Sequence, residues 1–165
     1  MIIQRTKERI KQTGEIFTPL SLVDEILSKL PPEVWNDPSK TFLDNSCGDG
    51  NFLVRVVAWK IHNGSTPEQA LKTTYGVELM SDNVERCRKR LLIHAFAASV
   101  EKQFLLPHLT EDEEEQISLT KQCQQFVKKY KHIVEKNIVC HDALTYDYSF
   151  GEEVSEEAKF SQFFV

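Results

Sequence analysis

The sequence predicts an α/β fold, a partial parallel sheet flanked by helices. Short apolar runs suited to buried strands alternate with segments whose apolar residues recur at helical spacing. That alternation is the pattern of parallel strands joined by right-handed crossovers. The 165 residues suffice to bury one core without disulfides or metals. With 41% hydrophobic and 27% charged residues, the chain is neither disordered nor collagen-like.

Residues 1–12 read as a polar arm, mixing Arg5, Lys7, Arg9 and Lys11 with Glu8. A helix is expected from Thr18, with Thr18 as N-cap and Pro19 in the first helical position, where its missing N–H costs nothing. Leu22, Val23, Ile26, Leu27 and Leu30 give it one apolar face, and Pro31-Pro32 ends it. Thr41 to Asp44 reads as a buried strand and Asn45 to Gly50 as a turn. A second helix over 51–62 turns Phe52, Leu53, Val56, Val57 and Ile61 inward. Thr74 to Glu78 is the next strand, and Asp82 to Ala98 the third helix, with Val84, Cys87, Leu91, Ala95 and Ala98 on one stripe. The acidic run Glu111 to Glu115 opens one further helix whose far end carries Lys128, Lys129, Lys131 and Lys136, matching the helix dipole at both ends. Its apolar stripe is Cys123, Val127, Tyr130 and Val134. Asn137 to His141 is a third strand, closed by Asp142-Ala143-Leu144.

The net charge of −5 argues against a compact domain that grips nucleic acid by phosphate contacts alone, so any nucleic-acid contact must be a local patch or be supplied by a partner. Cys47, Cys87, Cys123 and Cys140 form no C-x-x-C pair and no zinc spacing, so no metal site is expected. They read as reduced thiols of a cytoplasmic protein, Cys87 and Cys123 as buried small hydrophobes. No apolar run approaches a membrane span and the start lacks an apolar signal core, so no membrane contact is expected.

The strongest local signal is Asp44-Asn45-Ser46-Cys47-Gly48-Asp49-Gly50-Asn51-Phe52, between a predicted strand and a predicted helix. Gly48 and Gly50 would let a ligand approach the backbone. There is no third glycine at dinucleotide spacing and no phosphate loop, and Asp44 would repel a pyrophosphate. Glu78 closes the neighbouring strand, where an acid can accept hydrogen bonds from ribose hydroxyls. Asp142 closes the third. Three carboxylates on one rim would repel one another. A ligand offering a cation, a ribose and an exocyclic amine would offset that repulsion, and S-adenosyl-L-methionine carries all three.

These segments resemble the amino-terminal part of adenine-specific (N6) DNA methyltransferases, in the arrangement where the cofactor motifs come first. Gly14 to Pro19 is similar to their G-x-[FY]-[FY]-T-P element, and Asp44 to Phe52 to their D-P-x-C-G-x-G-x-[FL] loop. Gly76 to Leu79 is similar to their G-[IV]-[ED] strand end, and Asn137 to Leu144 to the motif that ends in D-[AS]-L. The resemblance implies a Rossmann-like class I methyltransferase fold and S-adenosyl-L-methionine as cofactor. Phe17, Thr18 and Pro19 would line the methionine end, and Asp44 would face its ammonium. Cys47, Gly48, Gly50 and Asn51 would form the loop beneath. Glu78 would hold the ribose, Leu79 would pack on the adenine, and Asp142 would accept from the adenine N6 with Ala143 beside it. Asn45 stands where the family has Pro, and Asn suits the same turn.

The family's catalytic [DNS]-P-P-[YFW] element, which holds the target amine and stacks on the flipped base, does not occur in this sequence. No catalytic residue is therefore assigned. Three readings stay open: the cofactor part of a DNA adenine methyltransferase completed by a partner chain or a continuation, a regulatory module that binds the cofactor without catalysis, or a methyltransferase of another class acting on RNA. The expected division is a cofactor-binding domain over 1–150 and an acidic tail or truncated fourth strand over 151–165. Phe160, Phe163 and Phe164 could there meet a protein partner or pack as that strand.

Overall fold

The computed structural model describes residues 18–101 and 103–151. Its elements are α1 (Leu20–Ser28), α2 (Pro32–Asn36), β1 (Phe42–Asp44), α3 (Asn51–His62), α4 (Pro67–Lys72), β2 (Thr74–Glu78), α5 (Ser81–Val100), α6 (Glu111–Ser118), α7 (Lys121–Asn137) and β3 (Ile138–Cys140). The strands pair in parallel in the order β1-β2-β3. Asp44 stands opposite Gly76 and Glu78 opposite Cys140, so the carboxyl ends of all three strands lie together. The architecture is mixed α/β, a small parallel sheet flanked by helices.

The main core joins α3, α5, α7 and the sheet through Leu53, Val57, Cys87, Leu91, Val134 and Ile138. The predicted stripes of α5 and α7 point inward, with Cys87 and Cys123 fully buried. The α3 helix goes further than the predicted face: Val54 is buried in the main core and Ala58 against Ala97, Ala98, Leu106 and Leu109, while Val23, Leu27 and Trp35 of α1 and α2 cover Val56. Among the described residues no helix is long and apolar enough to cross a membrane.

Several local expectations are corrected. Pro19, with ψ 140°, is the N-cap of α1 rather than its first helical residue, and no side chain caps that end. Leu22 and Ile26 are exposed, so the buried side of α1 is narrower than its apolar pattern. Two short helices, α2 and α4, fall in segments to which the sequence assigns no element. Each starts on a proline at its first position, and α4 adds a capping box between Thr66 and Gln69. The long acidic-to-basic helix is two helices. Thr110 and Glu113 form a capping box that starts α6, and the Thr120 hydroxyl accepts from the Cys123 N–H to start α7. The four acids of the first α6 turn complement that helix's own dipole, while the lysines belong to α7. Asn137 ends α7 rather than opening β3, and its amide donates to the Leu71, Lys72 and Thr74 carbonyls. The reading of Phe160, Phe163 and Phe164 falls on residues outside those described.

Two buried cations brace the frame. Arg55 is held by Asp24 of α1 at 2.9 Å and donates to the Leu106 carbonyl at 2.7 Å, while Trp59 donates to the same carboxylate at 3.1 Å. Lys60 lies at the amino-terminal ends of β1 and β2 and donates to the Lys40 and Thr73 carbonyls and the Thr73 hydroxyl at 2.7–3.2 Å. Burial pushes its pKa down to about 7. Below that pH the folded state bears the full cost of the buried charge. Between about pH 7 and the unfolded lysine's pKa of about 10.4, the unfolded chain binds more protons, so stability rises with pH. In urea denaturation across this range, wild-type stability minus that of Lys60→Met should therefore increase with pH. A constant difference would refute the assignment.

Candidate functional site

The site is built at the carboxyl ends of the strands. After Asp44 the chain turns back, and the Asp44 carboxylate accepts the Ser46 N–H at 3.0 Å. The loop then closes on the neighbouring strand, with the Cys47 N–H donating to the Val77 carbonyl at 3.1 Å. Gly48 and Gly50 take φ of +55° and +96°, a region that costs other residues strain. At Gly50 space is closed as well, since a Cβ there would lie 2.8 Å from the Cys87 sulfur. Gly76 on β2 faces the same constraint: a Cβ would meet the Cys47 sulfur and the Leu53 side chain, each at 2.9 Å. The two glycines let the thiols of Cys47 and Cys87 pack between loop, sheet and α5. A hydrogen bond with Cys87, together with burial, holds the Cys47 thiol well above the usual thiol range. Cys47 is thus a packing residue with little thiolate character.

Asp44 and Glu78 are both half-buried at adjacent strand ends. Burial raises the Asp44 pKa, and the Glu78 charge raises it further against the Ser46 hydrogen bond. No Lys, Arg or His among the described residues pairs with either carboxylate. The Glu78 carbonyl accepts the His141 N–H at 3.1 Å, which brings the end of β3 to the same rim. Asp142 there is exposed, its carboxylate accepting the Leu144 N–H at 2.9 Å. The Tyr148 hydroxyl donates to the Ala143 carbonyl at 2.7 Å. Leu79 is exposed beside Glu78.

Asn51, the first residue of α3, carries the other wall. Its amide nitrogen donates to the Thr18 carbonyl at 3.1 Å, so Thr18 and Pro19 are held against the glycine loop. Phe17 lies outside the described residues. The structure thus gathers Thr18, Asp44, Cys47, Gly48, Gly50, Asn51, Glu78, Leu79, Asp142 and Ala143 around one rim.

A model of the N-6 DNA methylase family matches residues 1–160. The chain belongs to the N-6 DNA methylase family. No curated relative and no solved structure matches it. Members of this family use S-adenosylmethionine as methyl donor, and two uncompensated carboxylates at the rim fit a ligand with a cation and hydroxyl donors. In this chain the loop is further held by residues that sequence reading passed over. Arg90, buried on α5, donates to the Asp49 carbonyl at 3.0 Å and to the Asn51 side chain at 2.9 Å. Glu114 of α6 takes its Nε at 3.0 Å and also meets the buried His94 at 2.8 Å. Burial opposes the Glu114 charge, but the His94 hydrogen bond and the Arg90 charge hold its pKa below the usual value. Asn83, fully buried in the first turn of α5, donates to the Glu78 carboxylate at 2.7 Å. The one sequence signal for these groups was a polar residue standing where helical spacing turns inward.

Gly50→Ala should cost roughly 2–5 kcal/mol in urea denaturation, about 1–2 from the positive φ and about 1–3 from overpacking against Cys87. Adding Cys87→Ala should remove the packing share and leave the backbone share. Equal costs in both backgrounds would show that the sulfur contact is not the constraint.

Proposed function

We propose that this chain binds S-adenosyl-L-methionine at the rim of a Rossmann-like class I methyltransferase fold, as the cofactor part of an adenine-specific DNA methyltransferase. The observation that carries the proposal is the pair Asp44 and Glu78, two half-buried carboxylates at adjacent strand ends with no cation among the described residues to neutralise them. Asp44 would take the ammonium, Glu78 the ribose hydroxyls and Asp142 the adenine N6, with Leu79 and Ala143 against the ring. Phe17, Thr18 and Pro19 would close the methionine end over Cys47, Gly48, Gly50 and Asn51. The cofactor, when bound, supplies an electrophilic methyl on its sulfonium. The chain's own residues bind it, exclude water around it and set its direction.

In this reading residues 1–150 form the cofactor-binding domain of a cytoplasmic protein. The amine acceptors and the stacking ring for a flipped adenine come from a second chain or a continuation, because the sequence has no [DNS]-P-P-[YFW] element. The same absence supports a second reading, a regulatory module that binds the cofactor without transferring methyl groups.

Calorimetry with S-adenosylmethionine should show one site per chain. Glu78→Ala should weaken binding by about 10- to 150-fold, from the roughly 1.5–3 kcal/mol of hydrogen bonds to a charged group. A correctly folded wild-type chain that binds no cofactor would sink the proposal. Incubated alone with DNA and tritiated cofactor, the chain should leave the DNA unlabelled, since extruding a base costs a few kcal/mol and no group assigned here would hold it. Label in adenine would overturn the need for a partner.

A further inference from the structure

We infer that Asn83 is a positioning residue for sugar recognition: it fixes the Glu78 carboxylate so that the second carboxylate oxygen meets the ribose hydroxyls. This role rests on the cofactor site proposed above. Asn83 has no solvent-exposed surface, and its Nδ2 donates to Glu78 Oε2 at 2.7 Å. The Oε1 oxygen takes no hydrogen bond from the described residues. A half-buried glutamate with one oxygen anchored loses most of its rotamer freedom before any ligand arrives, so binding need not order it. The anchor is neutral. An arginine or lysine in its place would cancel the charge that makes Glu78 a strong acceptor, whereas an amide orients the carboxylate and leaves the charge in place.

The anchor is itself rigid. Asn83 sits at the start of α5, where the Val84 N–H donates to the Met80 carbonyl at 3.1 Å. One turn further along, Arg88 donates to the Ile138 carbonyl at 2.6 Å and the Glu135 carbonyl at 3.2 Å, fastening the helix to β3 and the end of α7. The Glu78 backbone is tied to the far end of the same strand through His141. Donor and acceptor are thus both referenced to the sheet.

The test is calorimetry on the full chain with two probes, S-adenosylhomocysteine and its 2′-deoxyribose analogue. Wild type should prefer the ribose form by about tenfold or more, as a hydrogen bond to a charged acceptor implies. Asn83→Ala should reduce that preference to within about twofold, the affinity for the ribose probe falling more than that for the deoxy analogue, which keeps only its 3′-hydroxyl for Glu78. Asn83→Asp has the same shape but replaces the donating amide with an acceptor. It should lose the preference as well, and it carries the test if the alanine variant does not fold. A residue that only packs would lower both affinities together and keep their ratio, and that result overturns the inference. In a Glu78→Ala background, Asn83→Ala should change the ratio no further, and a further change also overturns it. Wild type that binds neither probe removes the cofactor site itself and this role with it.

Discussion

The Arg90 guanidinium is the tie on which the site depends. It is buried on α5, yet it reaches the glycine loop through the Asp49 carbonyl and the first turn of α3 through Asn51. Asn51 passes the constraint on to Thr18. Glu114 completes it from α6, and His94 completes Glu114. Four elements that share no local sequence are thereby set against one another by one cation. Removing either member of such a buried pair leaves an uncompensated charge, which costs roughly 3–5 kcal/mol. Replacing both by apolar groups could hold stability but would release the loop carbonyl and Asn51. What the network secures is geometry.

Its neighbours obey the same logic with different chemistry. Where Arg90 holds the loop by hydrogen bonds, Gly50 and Gly76 hold it by having no side chain, leaving room for the sulfurs of Cys87 and Cys47. Polar ties set the loop's direction, and steric contact sets its depth. Deeper in the frame, Arg55 and Lys60 perform the corresponding task for α1 and for the amino-terminal ends of β1 and β2. Arg55 and Arg90 draw on a backbone carbonyl as well as a carboxylate, and Lys60 on carbonyls and hydroxyls alone, which limits the number of buried acids.

The sheet, the three main helices and the loop were legible in the sequence because each rests on local periodicity or on residues that are neighbours in the chain. The short helices α2 and α4 were not, since a single turn started by proline has too few apolar positions to show a period. The break between α6 and α7 was hidden because Ile117 and Leu119 continue an apolar pattern across it, and only the Thr120 cap marks the restart. Arg90 and Glu114 were hidden for another reason. Arg90 meets Asp49 and Glu114 from 41 and 24 residues away, and no local pattern predicts such meetings. The strand-end acids could be placed on one rim from sequence, whereas the structure shows that Asp142 is exposed and Asp44 and Glu78 are half-buried.

That unequal burial has a consequence for ionic strength. Coulomb attraction grows as the surrounding dielectric falls, and mobile ions screen exposed charges far more than sheltered ones. A cationic group held at Asp44 would therefore keep most of its attraction in concentrated salt, while a polar group at Asp142 would compete with water and counterions. For a ligand bound as proposed, the rim would grade from a salt-tolerant floor at β1 and β2 to a salt-sensitive lip at β3, and ligands altered at the two ends would differ in how steeply their affinity falls with added salt.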